Sequence, residues 1–171
     1  MSTEQAFNIR FLGETVFSGD HNRLAETLHP TIEGAQAALE TFYHALNWRS
    51  IDLFRQIWFD DPLIQMDNPV GGIRRGTKII LDLYTHLFEG PIHVRAELHD
   101  IVEFASSEMV VFAGRERGTY ERDGKAFPLD FRTSRVFVYA PAQGGWRQIH
   151  HHGSIDQPES LAHYQQTLLG S

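Results

Sequence analysis

The hydrophobic pattern of the chain changes its period once, at Gly90-Pro91, and this change limits the possible folds more than any other feature. Before that point apolar residues recur at three- and four-residue steps, so they lie along one face of a helix. After it come long runs rich in β-branched and aromatic residues, which are typical of strands. Helices followed by an antiparallel meander make an α+β fold. A sheet this long must curl around the helices to bury its inner face, and a curled sheet leaves a pocket at its open end.

Three helices are predicted in the first part of the chain. Two of them cover about residues 31–58, and the second begins after Ser50, whose side chain can cap its first turn. A turn-forming segment, residues 67–72, separates a short strand from the third helix, which covers about residues 77–89. Gly90-Pro91 ends that helix, because proline cannot continue it.

Four long strands are predicted after Pro91, and each should pair antiparallel with its neighbour in sequence. Asp123-Gly124 is a strong two-residue hairpin signal between the second strand and the third. A looser loop at residues 143–145 links the third strand to the fourth. The predicted strands cover residues 92–104, 108–121, 127–139 and 146–154.

Length and composition favour a single folded unit. A chain of 171 residues that is 42% hydrophobic can bury one sizeable core. We divide it into an N-terminal extension (1–30), a main domain (31–158) and a C-terminal tail (159–171) that can form a helix. The absence of cysteine excludes disulfides and thiolate sites, and the net charge of −7 disfavours a partner such as nucleic acid or an anionic membrane. Because the sequence has no long apolar run, we expect a cytoplasmic protein.

Two groups of motifs resemble a known superfamily. Segments 133–137 and 145–154 resemble the last two strands of SnoaL-like proteins and of the calcium/calmodulin-dependent kinase II association domain. Segment 67–76 resembles the turn before the third helix of ketosteroid isomerases. Over roughly residues 31–158 the chain is therefore similar to the nuclear transport factor 2-like superfamily. The resemblance implies a cone-shaped α+β fold, with three N-terminal helices packed on a strongly curved antiparallel sheet that encloses a pocket.

Arginines supply the main candidates for a binding site. The resemblance to the kinase association domain puts Arg115 and Arg135 at positions that line its pocket. A guanidinium group inside a mostly apolar cavity needs an anion, either a protein carboxylate or a ligand. We therefore expect both arginines to point into the pocket and to bind a small apolar molecule that carries a carboxylate. The alternative is that Glu97, Glu116 or Asp130 pairs with them on an ordinary solvated sheet.

Strand alternation extends this predicted pocket. On the second and third long strands, alternation puts Arg117 and Thr133 on the same inner faces as Arg115 and Arg135. On the last strand, it puts Ile149 and His151 on the inner face. Helix three should contribute apolar surface. The predicted ligand-binding set is Arg115, Arg135, Arg117, Thr133, His151, Ile149, Phe88 and Asn68.

The alternative is an enzyme, which needs residues that transfer protons and stabilise an enolate. Ketosteroid isomerases need a carboxylate base and hydroxyl-type donors for the enolate. By resemblance the position of the base falls on Asn68 and that of one donor on Phe42. Neither residue can perform these roles, so the catalytic residues of the isomerase are missing at the matching positions. Asp67, Tyr43 and His151 are the remaining candidates for moving protons. The ordinary alternative for Asp67 is a carboxylate that stabilises its own turn.

The last strand also predicts how copies of the chain associate. Alternation puts His150 and His152 on one face and His151 on the other. Together with Trp146 and Gln148, the first two would form an outer face suited to a homodimer. Two histidines spaced in this way lack the further ligands that zinc needs nearby in sequence, so we expect no metal and no cofactor.

Two functional hypotheses remain. In the first, the chain is a non-catalytic domain that binds a carboxylate-bearing apolar molecule in an arginine-lined cavity. In the second, it is an enzyme of the isomerase, cyclase or dehydratase kind. The missing isomerase set favours the first hypothesis, and the fold cannot decide between them because function depends on the site.

Overall fold

The helices of the computed structural model, which describes residues 6–170, begin at the positions that the sequence predicts. Thr31 caps the first helix by accepting a hydrogen bond from the Gly34 amide at 3.2 Å, and Ser50 caps the second through the Leu53 amide at 3.3 Å. The predicted C-terminal helix is also present. The helices are α1 (Ile32–Asn47), α2 (Ile51–Ile57), α3 (Thr77–Glu89) and α4 (Pro158–Leu169).

The strands form one curved, open sheet in the order β1-β4-β5-β6-β7-β2-β3. The four long strands pair antiparallel, as predicted, whereas the short β2 lies parallel to its neighbour β7. Asp123 and Gly124 both have positive φ, which is the backbone that a tight hairpin between β5 and β6 requires. The strands are β1 (Asn8–Phe11), β2 (Gln65–Asp67), β3 (Arg74–Arg75), β4 (His93–Ala105), β5 (Met109–Arg122), β6 (Lys125–Ala140) and β7 (Gly145–Ser154).

The core lies between the inner, concave face of the sheet and α1. Phe42 of α1 contacts Phe54 of α2 with ring centroids 5.0 Å apart, and Phe54 contacts Tyr84 of α3 at 4.3 Å. From the sheet side, Phe112 and Phe137 are fully buried against the same cluster. Burying an aromatic side chain of this size stabilises the fold by roughly 2 kcal/mol, so this contact holds the helices on the sheet.

Both ends of the chain pack on the main domain. β1 pairs with β4 along one edge of the sheet, and Phe17 enters the core. At the other end, α4 is held by Arg122, which donates to the carbonyl of Thr167 at 2.6 Å, and by Gln165, which donates to the carbonyl of Pro69 at 3.0 Å. Within residues 6–170, no helix has the length and apolar character needed to cross a membrane.

A β-bulge in β7 corrects the predicted outer face. Val136 pairs with His150, but the next residue of β6, Phe137, pairs with Gln148, so Ile149 is an extra residue in β7. One extra residue reverses the alternation of faces on either side of it. Trp146 and Gln148 therefore point into the core and are fully buried, and the prediction that they share a face with the outward-facing His150 is wrong. Ile149 lies beside His150 in a shallow surface depression, so its predicted place in the pocket is also wrong.

Candidate functional site

A cavity of about 450 Å³ lies between α3, α4 and the inner face of the sheet. Its walls are mostly apolar, because the inward positions of β4 and β6 and the facing sides of the two helices carry aliphatic and aromatic residues. The apolar lining includes Leu83, Leu87, Val94, Leu129, Phe131 and Leu168. Polar residues also line it: Asn68, His86, Glu116, Arg122, Arg135 and His151.

Arg135 reaches the inner face of the sheet, as the sequence predicts, and is 1% exposed. Its partners are protein groups. Nη2 donates to Glu116 Oε1 at 2.5 Å, Nε donates to the hydroxyl of Tyr43 at 3.0 Å, and Nη1 donates to Gln148 Oε1 at 3.3 Å. The guanidinium carbon also lies 3.8 Å from the centre of the Phe42 ring. The cation is thus paired with a buried carboxylate and covered by an aromatic face.

Tyr43 completes this buried cluster. Its hydroxyl accepts from Arg135 and donates to Glu116 Oε1 at 2.7 Å. Burial raises the pKa of Tyr43 well above its ordinary value, so the hydroxyl keeps its proton. Tyr43 therefore holds the ion pair in place, and the sequence hypothesis that it moves protons is untested.

His151 is the one predicted catalytic candidate that lines the cavity. It is 4% exposed, and neither ring nitrogen has a hydrogen-bond partner among residues 6–170. Burial, helped by the charge of Arg135, lowers the pKa of His151 well below its usual value, so the imidazole is neutral at physiological pH. Gly153 leaves room for the ring, because a Cβ there would lie 3.2 Å from Nε2. An unpartnered, neutral imidazole at a cavity wall is a ready donor and acceptor for a bound molecule.

Arg115 lies on the opposite, outer face of the sheet, and its predicted placement in the pocket is wrong. Phe112 pairs with Arg135, and Arg115 stands three residues further along β5, so its side chain points the other way. It forms salt bridges with Asp130 at 3.0 Å and Asp156 at 2.8 Å. Arg117, two residues further on, shares this outer face and is exposed. The ordinary alternative, in which Asp130 pairs with Arg115 on a solvated surface, describes the structure.

The other predicted ligand-binding residues divide between the cavity and the core. Thr133 points inward and is 4% exposed, and its hydroxyl has no partner within the described part of the chain. Asn68 lines the cavity while its Oδ1 accepts from the Val70 amide at 3.1 Å. Phe88 stacks on Phe54 with ring centroids 5.5 Å apart and contributes to the core beside the cavity, away from the lining.

Asp67 points away from the cavity. Its carboxylate accepts a hydrogen bond from Gln65 Nε2 at 3.0 Å and lies 3.6 Å from His152 Nδ1 on the outer face. It is therefore placed as a surface carboxylate, and a general-base role in the cavity is contradicted by its position. Within the described residues, no three His, Asp or Glu side chains come together as a metal-binding group.

Sequence reasoning treated Glu116 only as a possible partner on a solvated sheet and missed the contribution of α4. Glu116 lies on the inner face of β5 between Phe112 and Tyr120, and this apolar alternation was the available signal. The place of Tyr164 and Leu168 over the cavity had no such signal, because it depends on where the tail docks.

Comparisons with known proteins agree with this geometry. The family model for the SnoaL-like domain matches residues 39–148, and the chain therefore belongs to that family. No curated protein matches the sequence. The resemblance to nuclear transport factor 2-like proteins is confirmed at the level of fold.

Three solved structures illustrate the shared fold. A proposed dehydratase of the NTF2-like family from Streptomyces avermitilis has a TM-score of 0.66 at 17% identity, covering 74% of this chain and 97% of its own. A ketosteroid isomerase-like protein from Erwinia carotovora atroseptica has a TM-score of 0.60 at 18% identity, covering 72% and 95%. A proposed calcium/calmodulin-dependent protein kinase type II association domain from Thiobacillus denitrificans has a TM-score of 0.56 at 22% identity, covering 71% and 94%.

Proposed function

We propose that this SnoaL-like domain binds a small, predominantly apolar molecule in the cavity between α3, α4 and the sheet. The proposal rests on His151, a buried imidazole without a hydrogen-bond partner in the described chain, at the wall of a mostly apolar cavity of about 450 Å³. A buried polar group without a partner costs free energy, and a ligand that bonds to it recovers that cost. Cavities of this size and lining are typical of small-molecule sites.

The carboxylate-bearing ligand expected from the sequence loses part of its basis. That expectation needed both Arg115 and Arg135 in the cavity, and of these two only Arg135 lines it. A second guanidinium in the lining, that of Arg122, donates to the carbonyl of Thr167 and lies 3.7 Å from the carboxylate of Asp123. Arg135 already has a carboxylate partner in Glu116. The apolar part of the expected ligand keeps its support, because the walls around Leu129 and Phe131 are apolar.

Proton transfer on the bound molecule is the second candidate function. It is favoured by the position of His151, which lines the cavity and whose two ring nitrogens have no partner in the described chain. The ketosteroid isomerase-like and dehydratase-named structures that share the fold make an isomerase or dehydratase reaction the natural form of this candidate. A His151→Gln variant that binds ligand but has lost all turnover of it would support this candidate.

A fluorescence titration tests the binding proposal. Nile red is uncharged and becomes more fluorescent in apolar surroundings, so saturable one-to-one enhancement is expected with the wild type. Leu168→Trp replaces an aliphatic side chain of the cavity lining with a bulky indole and should abolish the saturable signal. Gln166→Trp, on the exposed side of the same helix, is the matched control and should bind as the wild type does. No saturable binding, or equal binding by all three proteins, would contradict the proposal.

We also propose that the chain forms a homodimer through the outer face of the sheet. The support comes from residues other than those expected. Ile9, Phe104, Val111 and Val136 lie side by side across β1, β4, β5 and β6 and form an apolar row that ends at His150 of β7. Ile9 is 61% exposed, and an apolar surface of this kind suits burial against a second copy. The cytoplasm remains our prediction for where the protein acts.

A further inference from the structure

We infer that the molecule bound in the cavity is uncharged and carries a group that both donates and accepts hydrogen bonds, in the simplest case a hydroxyl. The inference rests on the proposed function and adds the chemistry of the ligand's polar end. It follows from Glu116, Arg135 and His151, three polar groups that line the cavity together.

The positive charge at this wall is already neutralised. Arg135 forms a salt bridge with Glu116 at 2.5 Å, and the two side chains are 2% and 4% exposed. Its remaining partners, Tyr43 and Gln148, are neutral. The other guanidinium in the lining, that of Arg122, donates to the carbonyl of Thr167 and lies 3.7 Å from the carboxylate of Asp123. A ligand carboxylate beside Arg135 would therefore meet no unpaired cation, and burying such a charge is unfavourable.

Glu116 adds a repulsive element against anions. Both of its hydrogen bonds, from Tyr43 and Arg135, go to Oε1. Among residues 6–170 no hydrogen bond involves Oε2, although Glu116 lines the cavity. A second carboxylate placed here would face a like charge, whereas a ligand N–H or O–H could donate to the free oxygen. A ligand ammonium group is disfavoured in turn, because Arg135 lies beside the same carboxylate.

His151 adds a hydrogen-bond donor and an acceptor to the cavity wall. A neutral imidazole has one N–H donor and one acceptor nitrogen, and in His151 both nitrogens are unpartnered in the described chain. A ligand hydroxyl offers both functions, because it can donate its proton to Glu116 and can accept a hydrogen bond from the imidazole. A ketone or an ether can only accept, so it would leave the carboxylate oxygen unused. The wall thus selects a hydroxyl, with a carboxamide as the next best group.

Matched ligands with one skeleton and different polar ends test this selectivity. The panel is 2-naphthalenemethanol, 2-naphthamide, 2-naphthoate, 2-naphthylmethylamine and 2-methoxynaphthalene, with decanol and decanoate as a second, linear skeleton. Titration calorimetry at about pH 8 keeps the acids ionised. We expect the alcohol of each skeleton to bind at least about tenfold more tightly than the carboxylate, with the amide between them. Carboxylates that bind as well as the alcohols would overturn the inference and leave the proposed function standing. If no member binds, both fail.

A charge substitution sharpens the test. In Glu116→Gln the guanidinium of Arg135 loses its counter-ion, so the ratio of alcohol to carboxylate affinity should fall at least about tenfold. Arg117→Ala, on the outer face of the same strand, is the matched control and should keep the wild-type ratio. An unchanged ratio in a folded Glu116→Gln protein would contradict the inference, and if that variant does not fold, the wild-type panel decides alone.

Discussion

The two long central strands carry an arginine–carboxylate cluster on each face, and the two clusters differ in nearly every physical respect. On the inner face, Arg135 and Glu116 are almost completely buried beside the cavity. On the outer face, Arg115 bonds to Asp130 and Asp156, and the arginine side chain remains 29% exposed. The same residue types on the same strands thus form a buried element on one face and a solvated network on the other.

The contribution of an ion pair to stability depends on how deeply its charges are buried. A solvated pair gains little, since water and salt screen its charges. A buried pair is different, because removing one partner leaves an uncompensated charge in a poorly polarisable environment.

Removing the inner carboxylate should have the largest effect. We expect Glu116→Leu to lower the free energy of unfolding by roughly 3–5 kcal/mol, because the buried guanidinium of Arg135 loses its counter-ion. Urea denaturation measures the change. The matched outer variant Asp130→Leu should cost far less. Equal losses in the two proteins would remove the distinction between the faces.

The pH dependence of stability should single out His151. Its pKa in the folded protein lies well below the ordinary value of about 6.5, so the unfolded chain binds a proton that the folded one excludes. Stability should therefore fall as the pH drops below about 6.5, by up to about 1.4 kcal/mol per pH unit from this residue. His151→Gln should remove this contribution, while the other histidines affect both proteins alike. Identical pH profiles in urea denaturation would show that His151 is not buried in its neutral form.

Formation of the proposed dimer would bury the outer face of the sheet and leave the inner face unchanged. Light scattering at micromolar concentration should give the mass of a dimer for the wild type. Val111→Asp, in the middle of the apolar row, should give a monomer, since it would bury a carboxylate at the interface. The control Thr119→Asp lies on an exposed part of the same strand and should remain dimeric. A wild type that is monomeric throughout would contradict the dimer proposal.

Removing the outer arginine should have the smallest effect. Arg115→Ala loses two salt bridges, but all the groups involved are in contact with solvent. We expect its melting temperature to stay close to that of Arg117→Ala, and any difference to shrink as salt is added. A large, salt-insensitive loss would mean that the outer cluster is as important as the inner one.

The sequence predicted the architecture well because its signals are local. The change of period at Pro91 marks the boundary between helices and strands, and Asp123-Gly124 fixes the central hairpin. The candidate site was predicted only in part, since it depends on register. A two-residue turn sets Arg115 and Arg135 on opposite faces, and the extra residue Ile149 reverses the alternation in β7.

The remaining site features are tertiary. Glu116 of β5 is held at the cavity by its salt bridge with Arg135 of the neighbouring strand β6. Helix α4 contributes to the lining only after the C-terminal tail docks on β5. The apolar alternation of β5 indicates which face Glu116 lies on, but neither its pairing with Arg135 nor the docking of α4 leaves a periodic pattern in the sequence.

A double-mutant cycle on Glu116 and Arg135 measures whether these two charges at the cavity wall compensate each other. The cycle compares Glu116→Leu, Arg135→Met and the double variant by urea denaturation. We predict that the double variant is more stable than either single variant, because it leaves no unpaired charge in the core. Losses in the double variant that equal the combined losses of the two single variants would contradict the claim.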